Sequence, residues 1–337
     1  MSFEKDTLRD VYFVQQEKEL LELVDPDTGM LSSRYSQLIP CPICESNRHS
    51  VVFIKRGYTF VRCEECELVF VNPQVLPDIV EGAYSGQKGI PASTSTDLWM
   101  EILLNEKEAA WRSEYFSSIL SFIEKFQPQK SHLLDIGCGV GHFLSIARQN
   151  GWQTTGLELS EKGSAHCKKN GLTVFQKTIE EVALSADTFD VVTLLGVLEH
   201  MVDPKRTLAN AVRVMKPGGV ISVVVPNVYS LLAMILREKA VTFDGREHMI
   251  FFSADTLQKI FQKVGLEVLH CDTVLTGIHN IMKYMQFFDP YGENQGCHFL
   301  PEGIRHFCQP QGQLLLEDWI LKNNLGLRLR IFGRRMR

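Results

Sequence analysis

The 337-residue chain has no apolar run of the roughly 18 residues needed to cross a bilayer, and its opening, MSFEKDTLRD, mixes both charge signs with no apolar stretch behind it. The first absence excludes a membrane-spanning segment; the second predicts a chain without a secretory leader, working in the cytoplasm. A surplus of positive charge is missing too. With 35 Lys and Arg against 40 Asp and Glu, the formal charge is −5 and no general field draws a phosphate backbone, so nucleic acid is disfavoured as the main partner. Internal repeats and low-complexity tracts are absent. Nine cysteines are present, an odd number, and Cys138, Cys167, Cys271, Cys297 and Cys308 have no ligand spacing. These five read as packing residues, and disulfides are not expected.

What is present is the usage of a folded soluble protein, 45% apolar and 22% charged, at a length that fits about two domains. Apolar residues recur at helical spacing over 8–24 and stop at Asp25-Pro26-Asp27-Thr28-Gly29, which predicts a leading helix in an N-terminal extension, 1–38. Residues 39–76 set β-rich runs, 51–54 and 58–61, between two cysteine pairs, the layout of knuckles and a hairpin. A looser stretch with Gly82, Gly86, Gly89 and Pro91 reads as a linker or lid; with the helical pattern of about 98–126 it fills 77–130. From 131 to 337 strand and helix patterns alternate, with strands expected at 132–136, 153–157, 173–175, 191–195, 220–225 and 266–271 and a helix at 228–238. That predicts a Rossmann-like α/β domain, a seven-stranded, mostly parallel sheet with helices on both faces, preceded by a small zinc-ribbon module.

Cys41-Pro42-Ile43-Cys44 and Cys63-Glu64-Glu65-Cys66 enclose 18 residues, a spacing of four-thiolate zinc sites. Two residues between paired cysteines let both sulfurs turn to one ion, and two pairs close a tetrahedron. Four protein ligands leave no open position, so the expected zinc is structural and supplies folding free energy to a segment too small for its own core. Two redox pairs, or unrelated buried cysteines, are the alternatives.

Leu133-Leu134-Asp135-Ile136-Gly137-Cys138-Gly139-Val140-Gly141 sets a glycine-rich turn between a buried strand and a helix. Gly137, Cys138, Gly139 and Gly141 let a ligand approach the backbone, and the helix start offers N–H groups to an anion. Nicotinamide and flavin enzymes use such turns as well. Asp135 changes the odds: a carboxylate two residues before the first glycine repels a diphosphate and attracts a ligand carrying an ammonium and a sulfonium, as S-adenosylmethionine does. Glu158, in Gly156-Leu157-Glu158-Leu159-Ser160, ends the second strand where an acid accepts from both ribose hydroxyls, with Leu159 beside it. Thr178-Ile179-Glu180 would reach the adenine edge, and Leu195, opening Leu195-Gly196-Val197-Leu198-Glu199-His200, would line the base and lead toward the acceptor.

Together with Phe189-Asp190-Val191-Val192, Lys216-Pro217-Gly218-Gly219, Pro226-Asn227 and the stretch 248–252, these motifs make residues 131–272 resemble the class I S-adenosylmethionine-dependent methyltransferases of the type that includes the ubiquinone O-methyltransferases. The front end, where the second Cys-x-x-Cys runs into Leu68-Val69-Phe70-Val71-Asn72-Pro73, is similar to a branch with an N-terminal zinc-binding segment, a layout shared by sugar C-methyltransferases of antibiotic pathways. The resemblance implies cofactor contacts at Asp135, Gly137, Gly139, Glu158 and 178–180, and is nearly silent on the acceptor. One departure matters. Some relatives carry an acidic residue three positions before the Glu-His pair and hold a divalent ion there, whereas this chain has Gly196, which argues against a catalytic metal.

Methyl transfer is an in-line displacement from a sulfonium, so alignment supplies much of the catalysis and a base is needed only for hydroxyls or C–H acids. Glu199 and His200 follow the fourth strand, and His248 stands in Arg246-Glu247-His248. Both histidines fall on loops converging at the carboxyl edge of the sheet and are candidates for base or substrate contact, with loop ordering or packing as rival roles. Tyr84, in the lid stretch, is a candidate to stack on the cofactor or close the site. The run 325–337 alternates apolar residues with Arg328, Arg330, Arg334, Arg335 and Arg337; it reads as a weak contact for an anionic surface or as a final strand with a basic tail. The leading function is methylation of a small-molecule acceptor, a sugar nucleotide or natural-product intermediate, on oxygen or carbon. An RNA acceptor read by the zinc module is the alternative, though 41–73 holds no basic cluster. A cofactor-binding scaffold and an oxidoreductase are further readings; the intact glycine turn, Glu158 and the Glu-His pair count against the first and Asp135 against the second. The oligomeric state is not legible.

Overall fold

A computed structural model describes residues 8–86, 94–275 and 310–336, apart from the side chains of 107–111 and 310. Cys297, Cys308, Gly89, Pro91 and Arg337 therefore lie outside the described residues. The leading helix forms as its spacing predicts, α1 (Arg9–Glu22). After it come β1 (Ser36–Gln37), β2 (His49–Lys55), β3 (Tyr58–Cys63), β4 (Val69–Val71) and β5 (Gln74–Val75), which pairs back with β1. Strands β2 and β3 are joined by Arg56 and Gly57, both at positive φ (51° and 85°), the two-residue turn whose twist matches a hairpin.

Where the composition reads as a loose lid, the chain is helical up to Gly86. Helix α2 (Pro77–Ser85) starts on a proline, whose fixed φ suits a first turn, and ends at Gly86 in the left-handed region. The long helical pattern breaks at Asn105 into α3 (Thr94–Leu104) and α4 (Glu106–Phe126).

The alternating region then runs β6 (His132–Ile136), α5 (His142–Gln149), β7 (Gln153–Leu157), α6 (Glu161–Lys169), β8 (Thr173–Phe175), β9 (Phe189–Leu195), α7 (Pro204–Val214), β10 (Met215–Pro226), α8 (Leu231–Leu236), β11 (Ile250–Phe251), α9 (Ala254–Lys263), β12 (Leu266–Val274), α10 (Pro310–Lys322) and β13 (Arg328–Arg335). Seven strands form one sheet in the order β12-β13-β10-β9-β6-β7-β8, with only β13 antiparallel to its neighbours. Its central strands are buried on both faces, which is why 220–225 is apolar at every position but the buried Ser222. Helix α9 shows the local logic. Ser253 and Thr256 form a reciprocal cap at its start, and Leu257, Ile260 and Phe261 bury one stripe, each contributing about 1.5–3 kcal/mol of apolar burial.

Two expectations shift. The helix expected over 228–238 is the shorter α8 followed by a 3-10 turn at Arg237–Lys239. The basic C-terminal run is no free arm: it is β13, hydrogen-bonded between β10 and β12, with Arg330 on Asp272, Arg334 on the Phe126 carbonyl and Arg335 on Asp187 and the Met215 carbonyl. An anionic-surface contact by this segment gives way to the final-strand reading. Among the described residues no helix is long and apolar enough to cross a membrane.

The cysteine segment is not a separate bead. Strand β11, from the α/β region, pairs with β4, giving a four-stranded sheet in the order β11-β4-β3-β2. One hydrophobic cluster runs without a break from Leu20, Ile43 and Phe60 to Leu134, Ile221 and Phe252.

Candidate functional site

The two cysteine pairs fold alike. In each, the residue four after the first cysteine, Glu45 or Glu67, donates its N–H back to that cysteine's carbonyl and sits at positive φ (64° and 69°). These turns bring all four sulfurs within 4.8 Å of one another, with Cys41 to Cys66 and Cys44 to Cys63 each at 3.4 Å. A tetrahedron with Zn–S bonds of about 2.3 Å has edges of about 3.8 Å, so the four thiols fit one ion of that kind. No disulfide joins them.

At the carboxyl edge of the large sheet, β6 delivers Asp135 and the glycine turn. Gly137 and Gly139 both take positive φ, and a Cβ on Gly137 would lie 2.5 Å from Val197, so this turn requires glycine and packs directly on the loop after β9. Asp135 is buried and accepts from the Thr193 hydroxyl at 2.6 Å; burial pushes its carboxyl up to about 7. Glu158, also buried, spans the turn: one oxygen accepts from the Gly139 N–H at 2.7 Å, the other from the Ser160 N–H at 2.8 Å. Leu159 beside it and Leu195 at the end of β9 are half-buried, and Cys138 is buried behind the turn with Cys167. Thr178 caps the turn after β8 through Glu181, Ile179 is buried, and Glu180 accepts from the Thr207 hydroxyl at 3.0 Å. Met100 and Leu103 of α3 pack on Val140, placing that helix over the glycine turn.

Glu199, His200 and His248, 49 positions apart at the extremes, meet here, and each can offer a donor atom within 4.8 Å of the others. His248 Nδ1 lies 2.9 Å from the Thr242 carbonyl and 3.3 Å from Asp244. The Thr242 carbonyl can only accept, so in the neutral ring Nδ1 carries the proton and Nε2 keeps its lone pair. Burial lowers this imidazole's basicity, but Asp244 and Glu199 outweigh burial, and the net shift is upward. His200 goes the other way, down to about 3, through burial and the neighbouring His248 charge. Its Nδ1 lies 2.9 Å from the Glu247 carbonyl and 2.8 Å from the Tyr84 hydroxyl, so Tyr84 reaches the site from α2. Burial raises the Glu199 carboxyl, and its Oε2 has no partner. Gly196 brings no donor to this group. A Cβ there would stand 3.5 Å from a guanidinium nitrogen of Arg328 and 3.7 Å from Glu199 Oε1.

Beneath the histidines lies a buried network that the motifs do not announce. Asp244 Oδ1 accepts the backbone N–H groups of Arg246, Glu247 and His248, holding the turn. Arg246 reaches Glu19 at 3.1 Å and Glu247 at 2.6 Å, and Ser95 and Tyr12 complete it. A weak signal existed: Gln16 and Glu19 fall on the stripe of α1 that carries Tyr12 and Leu20. The cysteine sheet touches the same loop, since the Met249 carbonyl accepts from the Val71 N–H and the Met249 N–H donates to the Glu199 carbonyl.

A family signature described as a methyltransferase domain matches residues 109–271. The ubiquinone biosynthesis O-methyltransferase of Vibrio cholerae is 31% identical over 183 residues, 50% of this chain and 71% of the relative. That of Methylococcus capsulatus is 34% identical over 124 residues, 35% of this chain and 50% of the relative, so the chain spans only half of that protein. A solved S-adenosylmethionine-dependent methyltransferase from Archaeoglobus fulgidus aligns with 68% of this chain and 97% of its own, at 21% identity and a TM-score of 0.46. Carrying the glycine turn, the acid after the second strand and the Glu-His pair on this sheet, the chain belongs to the class I S-adenosylmethionine-dependent methyltransferases.

Proposed function

We propose that the protein methylates a small-molecule acceptor on oxygen or carbon, with His248 as the base. The observation that carries this reading is the fixed tautomer of His248, whose free Nε2 belongs to the cluster with Glu199 and His200 at the carboxyl edge. S-adenosylmethionine supplies an electrophilic methyl group when bound. Asp135 suits its ammonium, Glu158 its ribose, and the positive-φ glycines leave backbone open to it. Nε2 of His248 would take the proton of the acceptor hydroxyl or acidic C–H, whose electron pair would displace the donor's sulfur from the methyl carbon and leave a neutral thioether, while Asp244 and Glu199 would stabilise the imidazolium. Tyr84 and His200 orient the acceptor.

The four thiolates hold structural zinc on this reading, supported by their mutual distances. Metal analysis of protein purified without chelator is expected to give about one zinc per chain; a metal-free folded protein would overturn that assignment. For the reaction, a labelled methyl donor is incubated with the enzyme and fractionated host extract. Label is expected among small metabolites, and label in RNA instead would replace the acceptor proposed here.

A further inference from the structure

Strand β13 begins at the catalytic edge, because Arg328 is in register with Pro226 at the end of β10 and with Val274 at the end of β12. Two residues on, Arg330 shares that face of the strand. The two arginines have opposite fates. Arg330 is neutralised by a bidentate pair with Asp272, at 2.9 and 2.6 Å, and its guanidinium lies 3.9 Å over the Phe122 ring. Arg328 is half-buried, and among the described residues its guanidinium has no hydrogen bond or ion pair.

Glu199 lies across a gap from Arg328 and feels its charge but does not bond it, and a half-buried guanidinium without a direct partner is costly unless a ligand completes it. Its placement says where that ligand would sit. Arg328 and Glu199 flank the point that a side chain at 196 would fill, and Gly196, at φ +76°, leaves it clear. Arg112 adds positive charge near this corner, since Tyr115 on α4 feels it together with Arg328, against the upward push of its own burial and of Glu199. A planar fork of donors suits a phosphate or carboxylate better than it suits a neutral hydroxyl.

We propose that Arg328 is a specificity-determining residue that anchors an anionic group of the methyl acceptor, a phosphate or a carboxylate, while the atom to be methylated lies toward His248. This rests on the reading of the Glu199, His200 and His248 cluster as the acceptor site. Where metal-holding relatives bring an acidic residue, this chain leaves a gap and a fixed cation beside it.

The full chain, with and without adenosylhomocysteine, is titrated calorimetrically with inorganic pyrophosphate and with malonate, one probe for each source of negative charge. At least one is expected to bind saturably at one site, with Arg328→Gln weakening it tenfold or more and Arg328→Lys keeping part of the affinity. Arg48→Gln, on the exposed face of the cysteine module, is expected to change nothing. Adenosylhomocysteine affinity in Arg328→Gln within about twofold of wild type shows that the variant is folded and localises the loss. No saturable binding of either anion, or equal binding by Arg328→Gln, overturns the proposal. Failure of the wild type to bind adenosylhomocysteine would instead strike the methyltransferase reading, while the titrations of the unloaded chain still decide on Arg328.

Discussion

Tyr12 donates its hydroxyl proton to Glu247 at 2.8 Å, tying the first helix to the residue next to His248. Glu247 and Glu19 together face Arg246, which lies within hydrogen-bond reach of both. Arg246→Met would leave two buried carboxylates without their cation, and a stability loss of about 3–5 kcal/mol is expected. Denaturant unfolding measures it; a midpoint shift equivalent to under 1 kcal/mol would show that the network is not a determinant of stability.

His248→Gln keeps the size and the donor but removes the proposed base. Turnover is expected to fall well over tenfold with adenosylhomocysteine affinity unchanged. Equal turnover would remove His248 from the chemistry.

The upward shift of His248 has a sign that can be checked. Its imidazolium contributes to stability fully below the unfolded value of about 6.5, and the contribution fades as pH rises through the higher folded value. The neutral form needed as base gains population over that same rise. Asp244→Asn should therefore move the histidine titration, followed by NMR in the adenosylhomocysteine complex, to lower pH; a titration that stays put would mean that Asp244 does not set it.

Asp135 has a folded value of about 7 and so holds its proton over much of the range between the usual carboxylate region and neutrality. An incoming ammonium favours the carboxylate, and cofactor binding near pH 6 should release a proton. Calorimetry of adenosylhomocysteine binding in two buffers of different ionisation enthalpy counts it, and Asp135→Asn should abolish it. Heats that do not depend on the buffer would contradict this.

Gly245 sits at φ +89°, and a Cβ there would come within 2.7 Å of the Tyr58 ring. Gly245→Ala should cost about 1–3 kcal/mol through backbone strain alone, and should also disturb the turn that holds His248. Thermal unfolding together with turnover tests both; an unaffected variant would mean that the turn relaxes its backbone and that Tyr58 yields.

The bounds of β6, β7 and β8 agree with those read from the sequence because strand, glycine and helix signals follow one another closely there. The cysteine pairs were legible for the same reason: their chemistry is written in short spacing. What could not be read depends on contacts across the chain. Glu19 and Arg246 are 227 positions apart, and nothing local marks them as partners. Strand β11 is two residues long, too short for any period to show. Arg328 looked like one basic residue among five in a tail, and only the register of β13 distinguishes it from Arg330. Helix α2 is obscured because Gly82 within it and Gly86 at its end mimic a linker.

The pairing of β11 with β4 limits how this enzyme can be taken apart. Cutting away the first 76 residues would strip backbone partners from Met249 and Ile250 and leave the Arg246 guanidinium without Glu19. A chimera that grafts the front segment of another methyltransferase onto residues 131–337 would have to transplant this strand seam as well as the fold, since His248 stands one residue from Met249, where the seam begins.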